Sequence, residues 1–379
     1  MNRSWRWTAA GCLLLALAGA SACSVASPQP ALSSQAPTVG PSRSTPPETW
    51  WRAGAVTGTV TSGLEAPWSV APLPEGGALI SQRGDGTVLE LTPDGVLRTA
   101  GRVPGVVSGG ESGLHGLALL ETDGGPVVYA YFGAENDNRV ARMPLLGEPG
   151  AYRLGEDEVI LDGIPRARNH DGGRLAFGPD GYLYVTTGDA SLRDAAQDPT
   201  SLGGKILRIT PDGDPAPGNP RDTPVWSIGH RNVQGIAWTA DGTMWASEFG
   251  QDTWDELNRI EGGANYGWPI VEGVAGRDDL VDPVAVWATS DASPSGIAAV
   301  GDTVFIAGLR GERLWQVDTR EGDVAGEPAD AFAGELGRLR DVVALPDGSL
   351  WVLTNNTDGR GSPRPGDDVL VRVELTPAS

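Results

Sequence analysis

Cysteine, histidine and methionine are scarce: two, three and three in 379 residues. Both cysteines, Cys12 and Cys23, lie in the first 23 residues, so no disulfide can brace whatever folds after them. Stability there must come from packing, helped or not by a metal. Long apolar runs are missing too: after residue 22 none approaches the ~20 residues of a membrane-spanning helix. Positive charge is in short supply, with 28 Lys and Arg against 49 Asp and Glu and a formal net charge of −21. Such a surface repels phosphate backbones and anionic lipid heads, which argues against nucleic acid as a partner. What is abundant is Gly, at 54, and Pro, at 30. That balance favours short strands joined by tight turns over a helical bundle.

The first 22 residues read as an export signal: Arg3 and Arg6, then an apolar stretch from Leu13 to Ala20, then Ala20-Ser21-Ala22. Cys23 stands where a bacterial lipoprotein is acylated, so the expectation is an exported protein held to the outer face of the cell membrane only by lipid. Free secretion is the alternative, because Ala-x-Ala also suits ordinary signal peptidase. Residues 23–50 then form a Ser/Pro-rich linker with too little apolar surface to fold, ahead of one domain over 51–379.

That domain repeats a unit: an apolar strand, a turn usually built on Asp-Gly, and an alternating strand. Copies occupy 71–80, 117–131, 176–184, 237–245, 299–305 and 344–351. Asp-Gly between alternating strands marks a hairpin, because Gly takes positive φ without penalty. Six copies about 45 to 60 residues apart match propeller blades. The expected fold is all-β, a six-bladed β-propeller, with loops gathered at the axial ends into one site.

A propeller names no function, so the loops must. His115, His170 and His230 all fall in Gly-rich or charged segments that read as loops, where histidine is ordinarily a solvated bystander. His170 differs in context. It precedes a blade strand, and blade geometry returns Asp189, nineteen residues on, to its side, where a carboxylate orients an imidazole. Arg231 and Asn232 offer a rigid fork of donors beside an amide, suited to carboxylates or quinone oxygens, or else form a plain surface turn. Four acids between Ser247 and Asn258 (Glu248, Asp252, Asp255 and Glu256) read as a calcium-type oxygen cluster or a solvated acidic loop. Arg338 and Arg340 share a strand face by the period of two, which suggests an anion site or an external salt bridge.

These blocks resemble the soluble quinoprotein sugar dehydrogenases, the glucose/sorbosone and aldose sugar dehydrogenase family. The resemblance spans 64–375 in order and includes Ala66-Pro67-Trp68, Gly110 to Ala118 and Gly203 to Ile209. It implies oxidation of an aldose, a small-molecule sugar, at its anomeric hydroxyl to the lactone. The cofactors implied are pyrroloquinoline quinone (PQQ) and Ca2+, with a separate electron acceptor. By the same resemblance His170 is the general base and Asp189 its supporting acid. Glu111, Arg231, Asn232, Trp287, Thr289, Arg310, Arg338 and Arg340 fall at cofactor-binding positions. Gly250 and Gln251 fall where main-chain carbonyls bind the cofactor's calcium, and Glu256 and Tyr266 at a structural calcium. Glu111 replaces Gln of glucose-oxidising members, Asn169 an Asp, Arg310 a Lys and Gln251 a Pro. The Asn169 change argues against glucose as the assumed substrate. Two rival readings remain: a metal-dependent sugar lactonase, and a non-catalytic binding propeller on the cell surface.

Overall fold

The computed structural model describes residues 50–378. The expected export signal, Cys23 and most of the linker lie outside them. The regular elements of the described residues are strands, apart from two short 3-10 segments, Arg193–Ala196 and Pro220–Asp222.

Six antiparallel sheets follow one another as blades of a propeller. Blade 1 holds Pro67–Pro72, Ala78–Gln82, Thr87–Leu91 and Leu97–Arg102. Blades 2 to 5 begin at Leu114–Thr122, Leu175–Phe177, Val233–Trp238 and Pro294–Val300. Blade 6 holds Leu339–Ala344, Leu350–Thr354 and Val369–Pro377, and takes its outer strand, Trp51–Ser62, from the start of the domain. Trp51 pairs with Pro377 and Ser62 with Val369, so both ends of the domain are fixed in one sheet and the ring closes without a free seam. The first strands of successive blades contact one another around the axis, blade 6 returning to blade 1.

Each repeat read from the sequence is the hairpin between a blade's first and second strands. Pro72 opposes Ala78, Phe177 opposes Leu183, Trp238 opposes Met244 and Ala344 opposes Leu350, leaving five residues in each of these loops. In blades 2 and 5 the same turn shrinks to two residues, between Thr122 and Gly125 and between Val300 and Thr303. All six turns therefore sit at one axial end. Segments that enter first strands or leave second strands gather at the other end.

The core is divided among six apolar clusters, each drawn from two adjacent blades. Leu79, Val88, Leu117 and Met143 join blades 1 and 2, and Leu64, Ile80, Trp351 and Leu370 join blades 6 and 1. The axis, in contrast, is polar. Buried Arg174 donates to Asp341 Oδ2 at 2.9 Å and to the Gln234 carbonyl at 2.9 Å, under the Trp68 ring at 4.3 Å.

His115 corrects the loop reading. It lies in the first strand of blade 2, 2 % exposed, stacked between Trp68 and Tyr131 at 5.0 and 5.7 Å. Its Nε2 donates to the Glu111 carbonyl at 2.8 Å while Nδ1 lacks a partner. Burial, with the charges of Arg83, Arg340 and Arg174, pushes its pKa down to about 3. A base depressed in the fold is neutral there while the unfolded chain binds a proton. Its contribution is therefore complete above pH 6.5 and is lost as pH falls toward 3. In His115→Phe the slope of unfolding free energy between pH 4 and 6 is expected to flatten by about 1.4 kcal/mol per pH unit. Denaturant titrations across that range check it; an unaltered slope refutes the buried neutral histidine.

Candidate active site

The loop end of the ring opens into a cleft of about 170 Å³. Of the sequence-predicted residues, Glu111, His170, Arg231, Asn232, Gly250, Gln251, Thr289, Arg310 and Arg338 line it. Asp189 stands directly behind His170. Trp287, Arg340, Glu256 and Tyr266 do not reach the cleft.

His170 is held by its backbone N–H and by both ring nitrogens. It adopts a left-handed φ of 61°, and its N–H donates to Glu111 Oε2 at 2.8 Å. Its carbonyl passes so close to Gly188 that a Cβ there would meet it at 1.8 Å, so this crossing of loops requires glycine. Nδ1 meets Asp189 Oδ1 at 2.7 Å and Nε2 meets Arg231 Nη2 at 2.8 Å. A guanidinium only donates, so Nε2 accepts and the proton of the neutral ring sits on Nδ1, shared with Asp189. The imidazole thus turns a basic nitrogen toward the cleft, with an anion behind it. Burial pushes the Asp189 carboxyl up, but hydrogen bonds from His170, Trp268 and the Ser191 N–H bring it below the usual carboxylate range.

Four guanidiniums, those of Arg231, Arg310, Arg338 and Arg360, line the cleft against two carboxylates, Glu111 and Asp255. In a chain of net charge −21 this is a local reversal of sign. Asp255 is weakened further as an anion, since burial pushes it up to about 6 despite N–H bonds from Ser293 and Gly250. Glu111 is answered by Arg360 at 3.0 Å. Several donors here are buried without protein partners: Arg231 Nε, Asn232 Nδ2 and Arg338 Nε. Arg310 makes one long contact, 3.4 Å to the Thr289 carbonyl.

Arg338 and Arg340 do share a side, but the anion they meet first is the protein's own. The side chain of Asp358, 1 % exposed, lies 3.1 Å from Arg338 and 3.9 Å from Arg340. Arg340 is buried against the axis, donating to Gln234 Oε1 at 2.8 Å. Trp287 packs in the apolar core between blades 4 and 5, tilted against Trp315.

The four acids of the 247–258 segment do not converge on one point. Glu248 accepts from His230 Nδ1 at 2.8 Å, Asp255 takes backbone N–H groups, and Glu256 accepts from the Gly273 N–H at 2.7 Å. Glu272, not singled out in the sequence, puts one oxygen on four successive N–H groups, Gln251 to Trp254, at 2.7–3.0 Å. These bonds outweigh burial and keep its carboxyl below the ordinary range. Glu248, Glu256, Glu272 and Tyr266 nonetheless share a small pocket behind Arg231 and Gly250. Tyr266 stacks on buried His230 at 4.7 Å, and its hydroxyl donates to the Arg259 carbonyl. Among the described residues no three His, Cys, Asp or Glu side chains form a metal-ligand cluster.

Sequence reasoning passed over Arg360, Asp358, Glu272 and the role of Trp268. A positional signal existed for the first two: Asp358-Gly359-Arg360 leaves a second strand as Asp189 does in blade 3 and Gly250 in blade 4.

The sequence matches the profile of the Glucose / Sorbosone dehydrogenase family over residues 64–371, which reaches into all six blades. The structure of the PQQ-bound form of aldose sugar dehydrogenase from Streptomyces coelicolor is 47% identical, covers 88% of this chain and 100% of that one, and gives a TM-score of 0.83. Aldose sugar dehydrogenase YliI of Escherichia coli is 29% identical over 339 residues, 78% of this chain and 89% of its own. Quinoprotein glucose dehydrogenase B of Acinetobacter calcoaceticus is 29% identical over 260 residues, 58% of this chain and 53% of its own. This chain belongs to the glucose/sorbosone dehydrogenase family, the six-bladed sugar dehydrogenases.

Proposed function

We propose that the protein oxidises the anomeric hydroxyl of an aldose to the lactone with PQQ and calcium, and passes the electrons to an external acceptor. One observation carries this reading. A histidine with its basic nitrogen turned outward and an aspartate behind it stands at the edge of a cleft lined by arginines. PQQ is a planar tricarboxylate with quinone oxygens. The unpaired donors of Arg231, Asn232 and Arg338, with Arg310 free to turn, match such a group in charge and hydrogen-bonding character. Glu111 pairs with Arg360 at 3.0 Å, which offsets its negative charge beside an anionic cofactor.

A cation also suits the donor set. The carbonyls of Phe249 and Gly250 already converge on the Arg231 guanidinium, at 3.1 and 2.5 Å. In the pocket behind, burial pushes the Glu256 carboxyl up to about 8, and the charges of Glu248 and Glu272 add to that. Carboxylates crowded this way gain from a divalent ion. Gly250 and Gln251 are proposed to hold the cofactor's calcium, and Glu256 and Tyr266 a structural one.

When bound, PQQ with its calcium supplies an electrophilic quinone carbonyl that accepts hydride. The rest is done by the chain. Nε2 of His170 takes the proton of the anomeric hydroxyl as hydride leaves C1 and the lactone C=O forms. Asp189 holds the ring in its tautomer and stabilises the imidazolium that results. Arg231 yields the His170 Nε2 to the substrate hydroxyl. A lactonase would need metal ligands converging on the axis, where this chain places Arg174 and Arg340.

Sugar-dependent dye reduction after addition of PQQ and calcium tests the proposal. If no quinone binds, the enzyme reading fails and a binding propeller replaces it. Calcium has its own check. A ligand of the folded state alone raises stability by about 2.7 kcal/mol at one hundred times its Kd. Chelation is therefore expected to lower Tm by several degrees, with calcium restoring it more fully than magnesium, whose octahedral demand fits poorly. A Tm indifferent to chelator and calcium removes the metal.

A further inference from the structure

Trp268 is 6 % exposed and follows the Tyr266-Gly267 turn. Its indole N–H donates to Asp189 Oδ2 at 2.8 Å, across 79 residues of chain. Asp189 is fully buried. Its Oδ1 already receives the His170 ring at 2.7 Å and the Ser191 N–H at 2.8 Å, so the indole is the donor that satisfies the second oxygen. The face of the same ring lies under the Arg231 guanidinium at 5.4 Å, with Arg193 at 4.5 Å. Arg231 in turn donates to His170 Nε2. One side chain therefore touches the partner of each ring nitrogen of His170.

We propose that Trp268 is a positioning residue for the base, acting on one nitrogen of His170 through Asp189 and on the other through Arg231. The inference rests on the reading of His170 as the base. Packing alone would not ask for the N–H. The backbone of Trp268 is anchored without it, since its N–H donates to the Gly229 carbonyl at 2.9 Å and its carbonyl accepts from Gln197 Nε2 at 2.7 Å. Phenylalanine at 268 keeps a ring over Arg231 and leaves Oδ2 buried with no donor. An anion stripped of a buried donor binds protons more tightly, so the coupled Asp189–His170 pair holds its proton to higher pH. The other charges facing the pair are unchanged: Glu111 at the His170 N–H, Arg231 at Nε2, Arg193 outside the indole, and Glu248 and Glu272 beyond Arg231.

The test needs neither sugar nor quinone. The chain has three histidines, two of them buried, so the imidazole carbon-bound protons of His170 can be followed by NMR in the cofactor-free protein. In Trp268→Phe its titration midpoint is expected to rise by about one pK unit. In unsubstituted protein the Trp268 indole N–H resonance should move with the same midpoint as His170, an arm that survives if the variant does not fold. With quinone and sugar, the acid limb of the kcat profile of Trp268→Phe should move up by the same amount, with quinone Kd within about threefold of wild type. An unshifted His170 midpoint in the variant overturns the proposal. So does an indole resonance indifferent to His170's titration. Coupled titration in a protein that oxidises no sugar keeps the Trp268–Asp189–His170 unit and defeats only the reading of His170 as base.

Discussion

His170→Ala is expected to lower sugar oxidation at saturating quinone by about 10²- to 10⁴-fold, the usual contribution of a general base. Quinone affinity should change little, because the arginines and Asn232 supply the donors that face the cleft. The variant should also fold. Asp189 loses one donor but keeps the Ser191 N–H and the Trp268 indole, so its buried charge is not stranded. Asp189→Asn is the companion variant. An amide there can donate to Nδ1 and favour the tautomer with its proton on Nε2, which turns the base into a donor. Both should therefore lose kcat with near-normal quinone titrations, measured by dye reduction and by quinone absorbance. Retention of most activity in His170→Ala would show that the base lies elsewhere in the same cleft.

The propeller was legible because its signal is local. Each Asp-Gly turn lies within ten residues of the strands it joins, and the repeat recurs in every blade. Blade geometry also carried Asp189 to His170, since a loop entering a first strand and one leaving the adjacent second strand must meet. Contacts between side chains far apart in the sequence were not legible. Arg360 reaches Glu111 across 249 residues and Trp268 reaches Asp189 across 79, and no periodicity encodes either. His115 misled for a related reason: its Gly-rich surroundings suggest a loop, but those glycines serve close packing. A Cβ at Gly116 would meet the Gly173 carbonyl at 2.3 Å and one at Gly173 the His115 ring at 2.5 Å, so the imidazole is walled in by backbone. The acidic 247–258 segment was legible only as composition: Asp255 and Glu256 oppose Trp287 and Val286 in a strand pair that directs neighbouring side chains apart, so Asp255 faces the cleft and Glu256 the pocket behind it.

Arg338, just before the strand Leu339–Ala344, and Arg340, within it, both face Asp358, yet depth divides their work, and the two variants are expected to fail differently. Arg338 lines the cleft with Nε unpaired while Nη2 holds Asp358 at 3.1 Å. Its loss should weaken quinone binding by about 10- to 150-fold, the worth of one charge-assisted contact, and excess quinone should restore turnover. Arg340 is 4 % exposed and binds inward. It donates to Gln234, to Ser295 at 3.3 Å, and through Nη2 and Nε to the Asn355 carboxamide oxygen at 2.7 and 2.9 Å once that amide is turned to face it. These partners belong to blades 4, 5 and 6, so Arg340 ties the ring across its axis. Arg340→Ala leaves their acceptors buried with no donor in its place, a loss of about 1–3 kcal/mol in unfolding free energy for each acceptor left unsatisfied. Denaturant midpoints and quinone titrations on the two variants separate the roles. Arg338→Ala should move the titration more than the midpoint, since Asp358 keeps Arg340 at 3.9 Å and the Arg360 N–H at 2.8 Å, and Arg340→Ala the reverse. A stable Arg340→Ala that no longer binds quinone would place Arg340 on the cofactor after all.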